Sequence, residues 1–437
     1  MRRVAVIGSG ISGLSVAHGL KGQAQVTLFE AGDYFGGHTH TVDLTLDGVT
    51  HGVDTGFLVL NERTYPNLLR LFDQLGVEIA KSDMSFSVQV PATRGRRGLE
   101  WSGSDLAGVF AQRGNVLRPR FWRMLADLLR FNRLATALAE SGEDATLQQP
   151  IGDWLRQHRF SDEFRDWYFL PMIGCIWSCP VDQMLRFPVA TMIRFCHNHG
   201  LIQIANRPQW YTVRGGARTY VDKMLKAIPD ARLSMPVRGV RRLAGSDGAS
   251  VLVATDAGTE RFDEVVMACH SDQAFRLLAD PSDAEMSVLS AIRYQRNRAV
   301  LHTDTTLLPQ RRRAWAAWNY ERAATESREQ ASVCLHYLLN RLQPLPFKTP
   351  VVVSLNPVRE PQAELVHAEF DYAHPVFDMT AIAAQQRVPQ LQGRRHTWYC
   401  GAWTRYGFHE DGLMSGLAVC AGLRAAWAGA LALPEAA

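Results

Sequence analysis

VAVIGSGISGLSVAHGL (residues 4–20), followed by VTLFE (residues 26–30), decides how the whole chain is read. Residues 4–7 form a short apolar run that predicts a buried strand. It leads directly into Gly8-Ser-Gly10-Ile11-Ser12-Gly13, and residues 11–20 have helical spacing. A second apolar run, 26–29, ends in Glu30. Strand, glycine turn, helix, strand and acid is the layout a dinucleotide site requires. Gly8 serves the tight turn, Gly10 lets backbone approach a pyrophosphate, and Gly13 lets helix and sheet pack closely. Ile11 and Ser12 open a helix whose unpaired N–H groups face the phosphates. Glu30 would accept hydrogen bonds from ribose hydroxyls and repel a 2′-phosphate. A bare glycine-rich turn in an unrelated α/β protein would leave the flanking strands and the acid unexplained.

The 437 residues suffice for two or three domains with sizeable cores. Forty-seven basic residues against 43 acidic ones give +4, too mild a charge to argue nucleic-acid binding. The cysteines, Cys175, Cys179, Cys196, Cys269, Cys334, Cys400 and Cys420, stand mostly among apolar neighbours and read as buried thiols. Cys175 and Cys179, with His197 and His199, make a weak zinc pattern, so no metal is expected. Met1-Arg-Arg leads straight into the first strand, and no apolar run reaches transmembrane length, which gives the expectation of a cytoplasmic protein.

After Glu30 comes Ala31-Gly-Asp-Tyr-Phe-Gly36-Gly37-His38-Thr39. A plain NAD site has no need of a second glycine pair here. The stretch resembles the flavin-containing amine oxidase superfamily, which also holds phytoene-type desaturases and protoporphyrinogen oxidases. Within it the pattern is similar to bacterial NAD/FAD-binding oxidoreductases linked to fatty-acid modification. The resemblance implies an α/β fold: a Rossmann-like FAD-binding domain of the two-dinucleotide type, with an inserted α+β substrate-binding domain. It implies that Ala31, Gly36, Gly37, His38 and Thr39 lie against the cofactor. Relatives usually read GGR, so His38 is a departure; it can still donate to a phosphate oxygen, without arginine's fixed charge. Residues 49–60 read as a strand pair with Asp54-Thr55-Gly56 at a turn. The resemblance puts Thr55, Gly56 and Phe57 near the flavin; a simple turn is the alternative.

Segment composition divides the chain into FAD-domain parts at 1–62, 208–286 and 391–437, and substrate-domain parts at 63–207 (mostly helical) and 287–390 (mostly sheet). Helical spacing appears at 65–75, 118–138, 151–157 and 163–172, and residues 82–90 alternate like a strand. Residues 118–133 combine Phe121, Trp122 and leucines with five arginines. Such a helix can lie peripherally on an anionic membrane, although the plainer reading is a half-buried helix with solvated arginines. Strands are expected at 237–241, 250–256, 262–269, 298–303, 314–320, 332–339 and 351–355. By the resemblance, Val237 lies beside the adenine.

The chain closes on Gly401-Ala402-Trp403, then Tyr406, His409, Asp411-Gly412-Leu413-Met-Ser415-Gly416, and a small-residue helix over 417–430. This is similar to the superfamily's second cofactor signature, in which a helix start faces the flavin. It implies contacts from Gly401, Ala402, Asp411, Gly412, Leu413 and Ser415. Residues 403–408 contain no cysteine, so noncovalent FAD is expected. Residues 294–302 lack the lysine that many relatives use near the flavin, and Ala402 stands where amine-oxidising relatives carry an acid. Tyr406 and His409 are the candidates for acid–base or positioning roles. Three functions remain open: hydride removal from an apolar small molecule or lipid acyl chain, amine or amino-acid oxidation, and a structural flavoprotein. An aromatic cage from Trp403 and Tyr406 would favour the second.

Overall fold

Val4, Ala5 and Val6 are fully buried in a strand, Arg3–Ile7, at the centre of a five-stranded parallel sheet. The computed structural model describes residues 1–92, 97–141, 149–177, 180–203, 207–243, 250–323 and 333–431. Strand order in this sheet is Asp230–Arg232, Gln25–Phe29, Arg3–Ile7, Glu264–Met267, Thr397–Tyr399. Burial on both faces explains why these strands read as continuous apolar runs. The first helix, Ile11–Gly19, and the last, His409–Leu431, pack together on one side of it. Their closeness depends on small residues: a Cβ at Gly416 would strike Ser15 and the Ser12 carbonyl.

A mixed seven-stranded sheet stands apart. Its order is Val366–Val376, Arg293–His302, Val352–Leu355, Cys334–Leu338, Trp318–Glu321, Phe86–Val90, Leu99–Ser102. Helices Pro119–Ser141, Ile151–Gln157 and Val189–Asn198 and a run over 162–177 with a π-helical turn lie in the intervening sequence. The helix Pro119–Ser141 buries Phe121, Met124 and Phe131. A three-stranded sheet of Leu60–Asn61, Trp210–Val213 and Ile79–Ser82 joins distant parts of the sequence.

Several expected strands are corrected. Residues 49–60 do not pair with themselves: Val49–Asp54 forms a hairpin with Thr41–Leu46. Residues 82–90 divide between two sheets, Ile79–Ser82 and Phe86–Val90. The run 262–269 breaks at Asp263, whose carboxylate accepts from the Arg3 N–H at 2.7 Å as the chain passes from an antiparallel strand into the parallel sheet. Residues 312–314 make a 3₁₀ turn, so that strand begins at Trp318. Between the expected strands 237–241 and 250–256 the Gly-Ser-Asp-Gly sequence at 245–248 reads as a turn, and it lies outside the described residues. Val366–Val376, the longest strand, has no counterpart in the expected set.

Candidate functional site

The glycines of the first turn have separable reasons. Gly8 has φ +105°, and a Cβ there would lie 2.8 Å from the Ala268 carbonyl oxygen. A Cβ on Gly13 would overlap the Gly8 carbonyl. Gly10 is different: its φ is −61°, and a Cβ would meet no protein atom within 4 Å. Neither backbone geometry nor protein packing demands glycine there, but the close approach of a bound group would. Gly10 bridges to Gly36, and a Cβ on Gly37 would sit 3.2 Å from Gly10 Cα. The two glycine pairs therefore rest on each other. Glu30 fastens this turn: Oε2 accepts from Ser9 N at 2.9 Å and Ser9 Oγ at 2.5 Å, and Oε1 accepts from Gly32 N.

These residues open on a cavity of about 630 Å³ that runs to the seven-stranded sheet. Its wall includes Gly8, Gly10, Ile11, Ser12, Glu30 and Ala31 from the first signature, and Gly36, Gly37 and His38 from the second pair. Thr55, Gly56, Phe57, Val237, Gly401, Ala402 and His409 complete the expected set found there. Six expected cofactor residues lie behind the wall. Gly13 packs on Gly8, the Thr39 hydroxyl bonds Tyr220, and Gly412 packs on Ile11 and Ser12. Asp411 accepts from Phe408 N, Ser415 Oγ accepts from Gly401 N, and Leu413 is buried. The last four lie there because the last helix begins at His409, about two turns before the expected 417, so residues 407–409 reach the cavity instead. Tyr406 also lies off the wall; its carbonyl accepts from Trp177 Nε1.

Imidazoles crowd the middle of the cavity. His38 lies 5.2 Å from Tyr372, 5.3 Å from His374 and 6.3 Å from His270, ring centre to ring centre. Its Nε2 is buried and has no hydrogen-bond partner. An orphaned polar nitrogen beside Gly37, with the open space at Gly10, is what a site for a phosphate-bearing cofactor should show. Burial, then the neighbouring histidines, holds His38 well below the ordinary range. Burial pushes His374 down to about 4 and His409 to about 3. These rings are neutral near pH 7. His409 Nε2 lies 2.7 Å from the Tyr220 hydroxyl, and its ring stacks on Phe57 at 3.9 Å.

The far end of the cavity is apolar. Met84, Ile176, Leu201, Val353 and Leu355 line it, with Phe195, Trp318, Tyr337 and Phe408. Among the described residues Glu30 is the one acidic side chain on the wall. Trp403 is spent on the fold, its Nε1 donating to the Cys269 carbonyl at 3.1 Å. Of the two residues that could supply an aromatic cage, Trp403 lines the cavity and Tyr406 does not.

His199 also lines this end, and sequence reasoning took it only for a weak metal ligand. Its Nδ1 donates to the Phe195 carbonyl at 3.0 Å, which leaves Nε2 as the acceptor; burial pushes its pKa down to about 4. Cys175 is on the wall as well, while Cys179 lies outside the described residues. Tyr372 and His374 were missed too, although Phe370, Tyr372 and His374 fall on alternate positions of one strand. Glu321, Cys334 and His336 form a buried cluster on the other face of the sheet, where His336 Nε2 lies 3.0 Å from Glu321 and Nδ1 lies 2.6 Å from Ser354 Oγ.

The sequence matches the profile of the flavin containing amine oxidoreductases over residues 11–303. No curated protein sequence matches the chain. Among solved structures, a CLA-producing fatty acid isomerase from P. acnes superimposes with a TM-score of 0.67 at 15% identity, covering 96% of this chain and 98% of that one. A protein assigned as a protoporphyrinogen oxidase from Exiguobacterium sp. 255-15 gives 0.67 at 16% identity, with coverage of 97% and 99%. Putrescine oxidase bound to putrescine gives 0.66 at 15% identity, again with 97% and 99% coverage. At these identities the likeness is one of fold. No helix among the described residues is long and apolar enough to cross a membrane.

Proposed function

The chain belongs to the flavin containing amine oxidoreductase family, an FAD-dependent oxidoreductase by that membership, and from this premise we propose that it removes hydride from an apolar substrate, a lipid acyl chain. The wall of the cavity carries the reading. A buried cationic amine needs a carboxylate at the reacting end to balance its charge. Here the far wall offers aliphatic and aromatic side chains, its imidazoles are neutral, and the one acid belongs to the first glycine turn. The fold serves both a fatty acid isomerase and a putrescine oxidase, so the choice rests on this wall.

In this reading the turn at Gly8 and Gly10 and the start of the first helix face the cofactor phosphates, with His38 Nε2 as a further donor. Glu30 would face the ribose, and Val237 and its neighbour Met235, which also line the cavity, would hold the adenine end. The residues after Gly401 contain no cysteine before His409, so attachment is noncovalent. Bound there, the flavin supplies the hydride acceptor. The protein orients the acyl chain between Phe195, Leu355 and Phe408 and keeps water away. The proton that leaves with the hydride goes to His199 Nε2, whose lone pair stays free because Nδ1 carries the ring hydrogen. The test is anaerobic bleaching of the yellow protein by fatty acyl lipids and by a panel of amines. Bleaching by acyl lipids supports the reading; bleaching by amines alone overturns it.

A further inference from the structure

Large apolar side chains stand out from the surface between residues 106 and 122. Leu106 is 78% exposed, Leu117 86% and Trp122 49%. They form one patch. Trp122 Nε1 donates to the Val116 carbonyl at 2.8 Å, and its ring lies 5.6 Å from Phe110. The short helix Leu106–Val109 packs on the turn Arg312–Ala314. Single exposed leucines need no explanation, but a ridge of them does.

The ridge is framed by positive charge. Arg97, Arg113, Arg118 and Arg311 line one surface hollow together with Leu117. Arg312 and Arg313 are exposed on the adjoining turn. The nearby acids are already engaged. Glu100 accepts from Arg311 Nη1 at 2.8 Å and from Gln310 N, and Asp105 caps its helix by accepting from Gly108 N at 2.6 Å. Arg97, Arg113 and Arg313 make no ion pair among the described residues. The long helix Pro119–Ser141 joins the ridge through Trp122 in its first turn. Its apolar face is buried, Arg120 and Arg123 turn to Glu163, and Arg130 turns to Asp127.

We infer that this ridge docks on an anionic lipid bilayer, with Leu106, Leu117 and Trp122 in the interfacial layer and the arginines against lipid phosphates. The combination selects the partner. A nucleic acid would use the arginines and leave the leucines in water. An apolar protein face would use the leucines and leave the arginines unmatched. A bilayer with anionic headgroups satisfies both in one plane. The inference stands on this surface alone and does not need the acyl-chain reading.

Co-sedimentation of the flavin-loaded protein tests it without turnover, using vesicles of phosphatidylcholine alone and of an equal mixture with phosphatidylglycerol. Binding to the mixed vesicles is expected, weakening as salt rises. Arg113→Ala and Arg312→Ala should each weaken it about fivefold, and Leu117→Asp should abolish it. These positions are exposed, so flavin content stays at the parent level. Absence of binding, equal binding to both vesicles, or binding unchanged in Leu117→Asp and Arg113→Ala would overturn the inference. So would a concentration-dependent dimer lost in Leu117→Asp, which would assign the ridge to a second copy of the chain.

Discussion

His409 and Tyr220 meet through a 2.7 Å hydrogen bond at the start of the last helix, although 189 positions separate them in sequence. Burial holds His409 at about 3, below its ordinary 6.5, so the folded state keeps the ring neutral. As pH falls through 6.5 the unfolded chain takes up the proton first. Stability therefore drops from about pH 6.5 down to about pH 3, by about 1.4 kcal/mol per pH unit for this ring. His374 and His199 act in the same direction. Asp54 opposes them: burial raises it to about 7, so the folded state loses stability as pH rises from 3.8 towards 7. Urea denaturation at a series of pH values should show a shallower acid slope in His409→Gln than in the parent. An unchanged slope would contradict the assignment.

Gly10 and Gly13 should fail in different ways. Gly10→Val places its side chain in the cavity, so the protein should fold with near-parental thermal stability yet purify colourless. Gly13→Val drives a side chain into the Gly8 carbonyl, and soluble folded protein should be lost. Circular dichroism and flavin absorbance separate the two outcomes.

Glu410 ties the last helix to the helix Pro66–Leu75. Its carboxylate accepts from Asn67 N at 2.9 Å, Asn67 Nδ2 at 2.7 Å and Leu68 N at 2.9 Å. Glu410→Ala leaves these buried donors without a partner and should cost about 2 kcal/mol in urea denaturation.

His199→Gln should lower the rate of anaerobic flavin reduction by acyl substrate about 100-fold with unchanged flavin content. In the parent that rate should fall on the acid side near pH 4, where the imidazole gains its proton. Stopped-flow absorbance measures both.

The parallel sheet and the glycine turns were legible because each strand buried on both faces leaves an unbroken apolar run, and because Gly13 meets the backbone of Gly8 only five residues before it. The apolar cavity wall was only partly legible. Trp318 and Tyr337 fall in the expected strands 314–320 and 332–339, whereas Phe195 and His199 sit on and at the end of a helix whose sequence neighbours say nothing about what they face. Val366–Val376 carried a strand signal that went unread: His367, Glu369 and Asp371 alternate with its apolar positions, and the period breaks only at Ala373-His374-Pro375. The start of the last helix was misplaced because Gly412 reads as a turn. In the folded chain that glycine is instead a contact point, pressed on Ile11 and Ser12.

Thr397–Tyr399 is an edge strand of the parallel sheet, paired with Glu264–Met267, and Gly401 follows it on the cavity wall. During synthesis this edge emerges after the other four strands of its sheet. Until then the pocket lacks one side, and the nascent chain has no closed receptor for its prosthetic group. A chain cut upstream of that edge keeps both glycine turns yet lacks the wall that Gly401 completes.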